Sequence, residues 1–305
     1  LLRALSQLCG ESGLLPTSYE LPGLVKRDED EAYSVGGFAD VWRGTHEGVS
    51  VALKVIRLHA GDREKVKKVF CREAVFWKRL SHANIVPFLG VSPRFHLCIV
   101  AEWMEYGDVV SFLKQFPLAD RRHLVLDITR GLHYMHTNGI IHGDVKARNI
   151  LVDGQQRARL GDFGLATTVI GTETLASFTE TSANRGSLRY MAPELLDHTV
   201  ESVTLTTKTD VYGYGMALWE IFDGRIPFHD VRIDYVVVLK VKDGVRPSRP
   251  TSARDLGLDD DLWELIETCW ASDPAQRPSM LGILQRLFPD ALHGLYMISS
   301  LGVMN

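Results

Sequence analysis

Five residues of one segment, Val66, Phe70, Glu73, Trp77 and Leu80, follow one another at intervals of four, three, four and three positions. On an α-helix those intervals set all five on one stripe, so a glutamate is aimed where four apolar side chains are aimed. Its helical neighbours three and four positions away, Val69, Phe70, Phe76 and Trp77, offer no cation. A carboxylate turned inward without one would cost about 3–5 kcal/mol, the scale of a broken buried ion pair. Either a cation arrives from another element, or Glu73 lies at the edge of the stripe and reaches water. Lys54 closes the apolar, strand-like run "VALK" and is equally unsupported by its near sequence, although a strand lysine can also simply face solvent. If the two meet, a helix expected over 62–80 must lie against the strand that carries Lys54, and the remaining ammonium N–H groups stay available to an anion.

The rest of the chain supplies a setting for such a pair. Residues 33–58 read as short antiparallel strands with turn residues at His46, Glu47 and Gly48, and further strand-like segments follow at 86–91 and 97–102. Beyond Tyr106-Gly107-Asp108 the pattern turns helical, with Leu124, Ile128, Leu132 and Met135 at helical spacing before Asn138-Gly139. A strand-rich front therefore precedes a helix-rich remainder, an α+β arrangement. Residues 1–31 are expected to form a short opening helix and then a solvated linker ending in the mixed run "VKRDEDE".

Composition narrows the classes of partner. A net charge of −4 on 305 residues gives no electrostatic reason to bind nucleic acid. The four cysteines, Cys9, Cys71, Cys98 and Cys269, are far apart and form no C-x-x-C pair. That argues against a zinc site and a disulfide framework, and for a reducing, cytoplasmic setting. No apolar run approaches the roughly 18 residues of a membrane span, the run 211–222 being broken by Gly213 and Gly215. The start lacks the basic flank and cleavage pattern of a signal peptide. It opens on Leu1 and not on methionine, which suggests a trimmed chain and leaves room for further domains upstream.

Three stretches carry phosphate chemistry. In "SVGGFADVWRG", Gly36 and Gly37 sit in a turn where backbone N–H groups can approach phosphate oxygens, though a plain hairpin turn explains two glycines as well. "NILVDGQQRARLGDFGLA" reads as a hairpin with Asp153-Gly154 in its turn, setting Asn149 beside Asp162. An amide carbonyl and a carboxylate suit Mg²⁺, which keeps waters and is completed by substrate phosphates. Between them, "IIHGDVKARNILV" crowds Asp144, Lys146 and Asn149 into an apolar segment. Asp144 is placed to take a proton from an incoming hydroxyl and Lys146 to face the transferred phosphoryl group, the positioning and electrostatic work that phosphoryl transfer requires.

Taken in order, these motifs resemble the eukaryotic protein kinase family over roughly residues 33–288. Lys54 to Glu73 spans 19 positions, Asp144 to Asn149 spans 5 and Asp144 to Asp162 spans 18, and "APE" falls at Ala192 to Glu194. The resemblance implies a bilobal fold. Residues 1–32 would form an N-terminal helix and linker, 33–101 a small β-rich lobe, 102–107 a hinge, 108–289 a larger helical lobe and 290–305 a tail. It implies Lys54 on the ATP phosphates and paired to Glu73, Asn149 and Asp162 on Mg²⁺, and Asp144 as catalytic base. Nucleotide contacts are implied at Val35, Gly36, Gly37 and Lys54, at the hinge residues Glu102, Trp103 and Met104, and at Val41, Ala52 and Leu151 around the adenine. Ala101 would be an unusually small gatekeeper before a roomy back pocket. Asp210 and Arg277 resemble structural anchors, Arg277 paired to Glu194.

The chain departs from the family pattern at three places. Ser34 and Ala39 replace the outer glycines of the phosphate loop, and Gly143 replaces the arginine that commonly precedes the catalytic aspartate. The missing arginine implies activity that does not strictly need a phosphorylated activation segment, despite hydroxyls at Thr167, Thr168, Thr172, Thr174, Ser177, Thr179, Thr181 and Ser182. Lys146 and Ser187 resemble serine/threonine kinases and Arg148 tyrosine kinases; serine/threonine features beside the tyrosine-kinase-like "DFGLA" and "LWEI" suggest the tyrosine-kinase-like group. The expected function is transfer of the ATP γ-phosphoryl group to serine or threonine hydroxyls of proteins. A weakly nucleotide-binding pseudokinase or scaffold, a tyrosine or dual-specificity kinase, and a small-molecule phosphotransferase are the alternatives. Oligomeric state is not readable.

Overall fold

The computed structural model describes residues 2–23, 25–28, 31–35, 39–57, 63–164, 166–168, 187–196, 204–251 and 253–290. Its first half is built on one antiparallel sheet. Strands β1 (Val25–Arg27), β2 (Ser34–Val35), β3 (Ala39–His46), β4 (Val49–Ile56), β5 (Phe88–Ser92) and β6 (Cys98–Glu102) join in the order β1-β3-β4-β6-β5, with β2 also paired to β3. The β3–β4 hairpin turns on two residues, Glu47 and Gly48, both at positive φ (49° and 81°), the backbone that matches strand twist in a two-residue loop. Alternation on β4 decides what faces where: Val51 and Leu53 are buried in a small cluster with Val25, Cys98 and Val100, so Ala52 and Lys54 take the opposite face.

The linker expected before residue 33 is corrected here. Val25–Arg27 pairs with Gly44–His46 as an edge strand, and Val25 is 2 % exposed. The run looked solvated because only one of its three side chains turns inward, too short a signal for an alternating pattern.

Two helices flank the sheet, α1 (Leu2–Ser12) and α2 (Arg63–Trp77). The helix is shorter than the expected 62–80. Leu80 closes a turn onto the Trp77 carbonyl instead, and residue 62 lies outside the described residues. All five stripe residues are nonetheless buried, Glu73 at 1 % exposure.

The second half is helical: α3 (Val109–Gln115), α4 (Arg121–Thr137), α5 (Thr207–Asp223), α6 (Asp234–Lys242), α7 (Asp260–Cys269) and α8 (Met280–Leu287). Local signals set their ends. Asp120 accepts from the His123 amide at the start of α4, Asn138 and left-handed Gly139 end it, and a Thr206/Thr209 capping box opens α5. α5 is buried from Thr209 to Phe222, so the run too short for a membrane span is the central core helix of this lobe. Gly213 is required there, because a Cβ would lie 2.8 Å from the Val145 carbonyl oxygen. Two small strand pairs complete the lobe: β7 (Ile140–Ile141) with β10 (Thr167–Thr168), and β8 (Ile150–Val152) with β9 (Ala158–Leu160). The expected bilobal α+β architecture is therefore present. Among the described residues no helix is long and apolar enough to cross a membrane.

Candidate active site

Lys54 and Glu73 do meet. Lys54 Nζ lies 2.5 Å from Glu73 Oε1 and 2.7 Å from Asp162 Oδ1, so one ammonium joins the sheet, α2 and the segment after β9. Burial pulls the Lys54 pKa down, but the charges of Asp162 and Glu73 more than offset it and leave the pKa raised. The lysine is therefore charged throughout the neutral range. The water-reaching alternative for Glu73 is excluded by its 1 % exposure.

Asp162 arrives by the expected hairpin. Ile150 pairs with Leu160 and Val152 with Ala158, so Asn149 and Gly161 flank the open end, where the Gly161 amide donates to the Asn149 carbonyl at 2.9 Å. Asp162 itself adopts a left-handed backbone, φ 61°, which aspartate tolerates better than most residues. That strain was invisible in sequence.

Asp144, 5 % exposed, sits in the turn between β7 and β8. Its Oδ2 accepts from Lys146 Nζ at 2.6 Å and from Asn149 Nδ2 at 3.1 Å, while Asn149 Nδ2 also reaches the Asp144 carbonyl at 2.8 Å. The Asn149 amide nitrogen is thus spent on Asp144, leaving an amide oxygen for a ligand. Lys146 Nζ makes a second bond, 2.9 Å to Ser187 Oγ, which ties the loop to the segment before "APE". Two hard oxygen donors, Asn149 and Asp162, fit a small divalent cation that brings its own waters and phosphates. Among the described residues no cluster of three or more His, Cys, Asp or Glu forms a closed metal cage.

The loop is held from below. Asp210 on α5 accepts from the amides of His142 and Gly143, each at 2.8 Å, and contacts His136 Nε2 at 2.8 Å. Gly143 has φ 81°, so the residue standing where the family commonly has arginine is the one whose backbone favours glycine. Arg277 pairs with Glu194 through two bonds of 2.6 and 2.7 Å, as expected for a scaffold anchor.

Of the other sequence candidates, Ala52 shares the Lys54 face and stands opposite Ala101, and Val41 stands opposite Lys54. Val41, Ala52 and Leu151 are all half-buried, as residues lining a cleft are. Trp103 and Met104 are buried after β6, with the Trp103 ring 4.8 Å from that of Tyr33; Glu102 donates its amide to the Pro87 carbonyl. Val35 pairs with Asp40 through the backbone, whereas Gly36 and Gly37 lie outside the described residues, as do Thr172, Thr174, Ser177, Thr179, Thr181 and Ser182.

Sequence reasoning missed one set of residues. Phe88, Trp77, Phe163 and His142 form a column of rings, with centroids 6.0, 5.3 and 5.3 Å apart in turn, running from the sheet through α2 to the Asp144 loop. Trp77 shares the Glu73 stripe, which was the available signal; its ring partners Phe88 and Phe163 are 11 and 86 positions away in sequence, and His142, which lies beyond Phe163, is 65 away.

This constellation brings lysine cations, carboxylates and an amide together between two lobes, the class of arrangement that phosphoryl transfer requires. A family model described as protein tyrosine and serine/threonine kinase matches residues 30–287, and the chain belongs to that family. It is 33 % identical over 257 residues to Serine/threonine-protein kinase STY46 of Arabidopsis thaliana, covering 83 % of this chain and 42 % of that one. It is 35 % identical over 260 residues to the Arabidopsis Serine/threonine-protein kinase VIK, covering 83 % and 57 %. A third Arabidopsis relative, Serine/threonine/tyrosine-protein kinase HT1, is 30 % identical over 261 residues, covering 83 % and 63 %. The chain thus spans less than two thirds of the length of each of these relatives.

Proposed function

We propose that the chain is a catalytically competent kinase domain that transfers the ATP γ-phosphoryl group to serine and threonine hydroxyls of proteins. The observation that carries this is the bridge from Asp144 through Lys146 to Ser187, at 2.6 and 2.9 Å. One cation shared by the base and by a hydroxyl of the neighbouring segment holds the acceptor side against the carboxylate that takes the proton. An Asp144 Oδ2 with Lys146 and Asn149 donating to it is held aimed, ready to accept the hydroxyl proton as the oxygen attacks. Lys146 then faces the negative charge gathering on the transferred group. Lys54, kept charged and anchored by Glu73, orients the α- and β-phosphates.

Asn149 and Asp162 would hold Mg²⁺, which would neutralise phosphate charge as the group is transferred. The adenine is assigned to the backbone of Glu102, Trp103 and Met104, between Val41, Ala52 and Leu151, with Val35, Gly36 and Gly37 over the phosphates. For the domain limits, 102–107 serves as hinge between a small lobe that takes in the strand at Val25–Arg27 and a large lobe ending near residue 289. A reducing, cytoplasmic setting is supported by four buried cysteines, all with free thiols.

The test is Mg²⁺-ATP phosphotransfer onto a generic protein and onto the chain itself, with wild type, Asp144→Asn and Lys54→Met compared. Incorporation confined to wild type, on phosphoserine and phosphothreonine, is expected. Equal incorporation in all three defeats the enzyme reading, and phosphotyrosine in the product defeats the acceptor assignment.

A further inference from the structure

The second half of α2 is buried on every side. Phe70, Cys71, Glu73, Ala74, Val75, Phe76 and Trp77 are each 7 % exposed or less. A helix lying on a sheet hides a stripe and shows the rest, and here Glu73 and Trp77 mark the stripe turned to the site. Cys71 and Val75 stand two residues either side of Glu73. Two steps of about 100° carry each of them to the opposite side of the helix. Their burial, at 1 % and 0 %, therefore cannot come from the sheet and needs a second cover.

That cover is α1 and the chain after it. α1 packs along α2, with Ser6 and Cys9 buried and with Gly10 and Gly13 placed so that a Cβ would lie 3.9 Å from the Lys68 stem and 3.2 Å from that of Lys67. Lys67, Lys68, Cys71 and Val75 share the outer side of α2, and Lys78 follows its last turn. Lys78 bonds the Ser18 carbonyl and lies 4.3 Å over the ring of Tyr19, which is buried edge-on to Phe88 at 6.3 Å. The Leu21 amide then donates to the Val91 carbonyl at 2.9 Å, fastening the segment to the far edge of the sheet. All of this precedes residue 30, where the family match begins.

We infer that residues 2–21 are a backstop that positions Glu73 for catalysis by clamping α2 against the sheet, with Cys9 and Tyr19 as its positioning residues. The Lys54–Glu73 contact survives only small movements of α2, and any roll or withdrawal of α2 must first open its interface with α1. The catalytic consequence rests on the kinase reading; the clamp itself does not.

The experiment uses the full chain carrying Cys9→Glu or Tyr19→Ala, with Leu8→Glu, on the exposed side of α1, as control. Amide exchange over residues 66–77 is expected to quicken about tenfold in both variants, with α4 unchanged. kcat/KM is expected to fall about tenfold in wild-type background and to be unaffected where Glu73→Gln has already removed the pair. Leu8→Glu should match wild type in both measurements. Unchanged exchange at 66–77, or an equal loss of activity in both backgrounds, overturns the inference. If Cys9→Glu does not fold, Tyr19→Ala decides alone. An inactive wild type overturns the kinase reading instead, and exchange still decides the clamp.

Discussion

Glu220 makes a pH-dependent weak point in the large lobe, and Glu220→Gln should remove it. The residue lies on α5 at 3 % exposure, its Oε2 accepting from the Tyr190 hydroxyl, three positions past Ser187. Burial pushes the carboxyl from 4.5 up to about 7, against the opposing pull of the Tyr190 hydrogen bond; Asp108 adds to the rise, and Arg148 and Lys114 oppose it. A carboxyl that holds its proton more tightly in the folded chain contributes stability that is fully present below the unfolded pKa, 4.5, and is lost as pH rises through the folded one, 7. At about 1.4 kcal/mol per unit, the loss between pH 5 and pH 8 is about 2–3 kcal/mol. Glutamine keeps an acceptor for Tyr190 and does not titrate. Urea unfolding of both proteins across that range should therefore show the glutamine variant gaining on wild type by about 2–3 kcal/mol towards pH 8. Parallel profiles, differing by a constant, would refute the reasoning by showing Glu220 ionised in the fold at all these pH values.

Arg277→Met, which strips Glu194 of both bonds and the Ala271 and Lys208 carbonyls of theirs, should destabilise the large lobe by about 3–5 kcal/mol in chemical denaturation; a loss below 1 kcal/mol would count against the anchor role. Ser187→Ala leaves Lys146 bonded to Asp144 alone and should lower kcat about tenfold at unchanged KM for ATP, a result contradicted by an unaltered kcat. Because Gly143 offers no guanidinium to a phosphorylated segment, phosphatase treatment should leave most of the activity, and its abolition would show another cation taking that part. Gly143→Arg, forced to φ 81°, should unfold more easily by about 1–2 kcal/mol without restoring a requirement for phosphorylation.

What the sequence alone determined was whatever rests on local geometry. Period 3.6 around Glu73 and Leu124, Asn138-Gly139 as a stop and Asp153-Gly154 as a turn are properties of a few neighbouring residues, and all hold in the fold. Motif order and spacing carried the long-range part, bringing Lys54, Glu73 and Asp162 to one point although 108 positions separate the first from the last. Tertiary structure alone decided the rest. Val25–Arg27 became a strand because β3 offered it a free edge, an attraction that three residues cannot advertise. The column from Phe88 to His142 and the grip of Asp210 on two loop amides depend on surfaces that exist only once the lobes are packed. The same holds for α2: its sequence shows which side needs a cation for Glu73, but the burial of Cys71 and Val75 on the other side is contributed by residues more than 50 positions earlier. Backbone preferences act over a turn or two and leave their mark in the residues themselves, whereas burial is a property of whichever segment arrives to exclude the water.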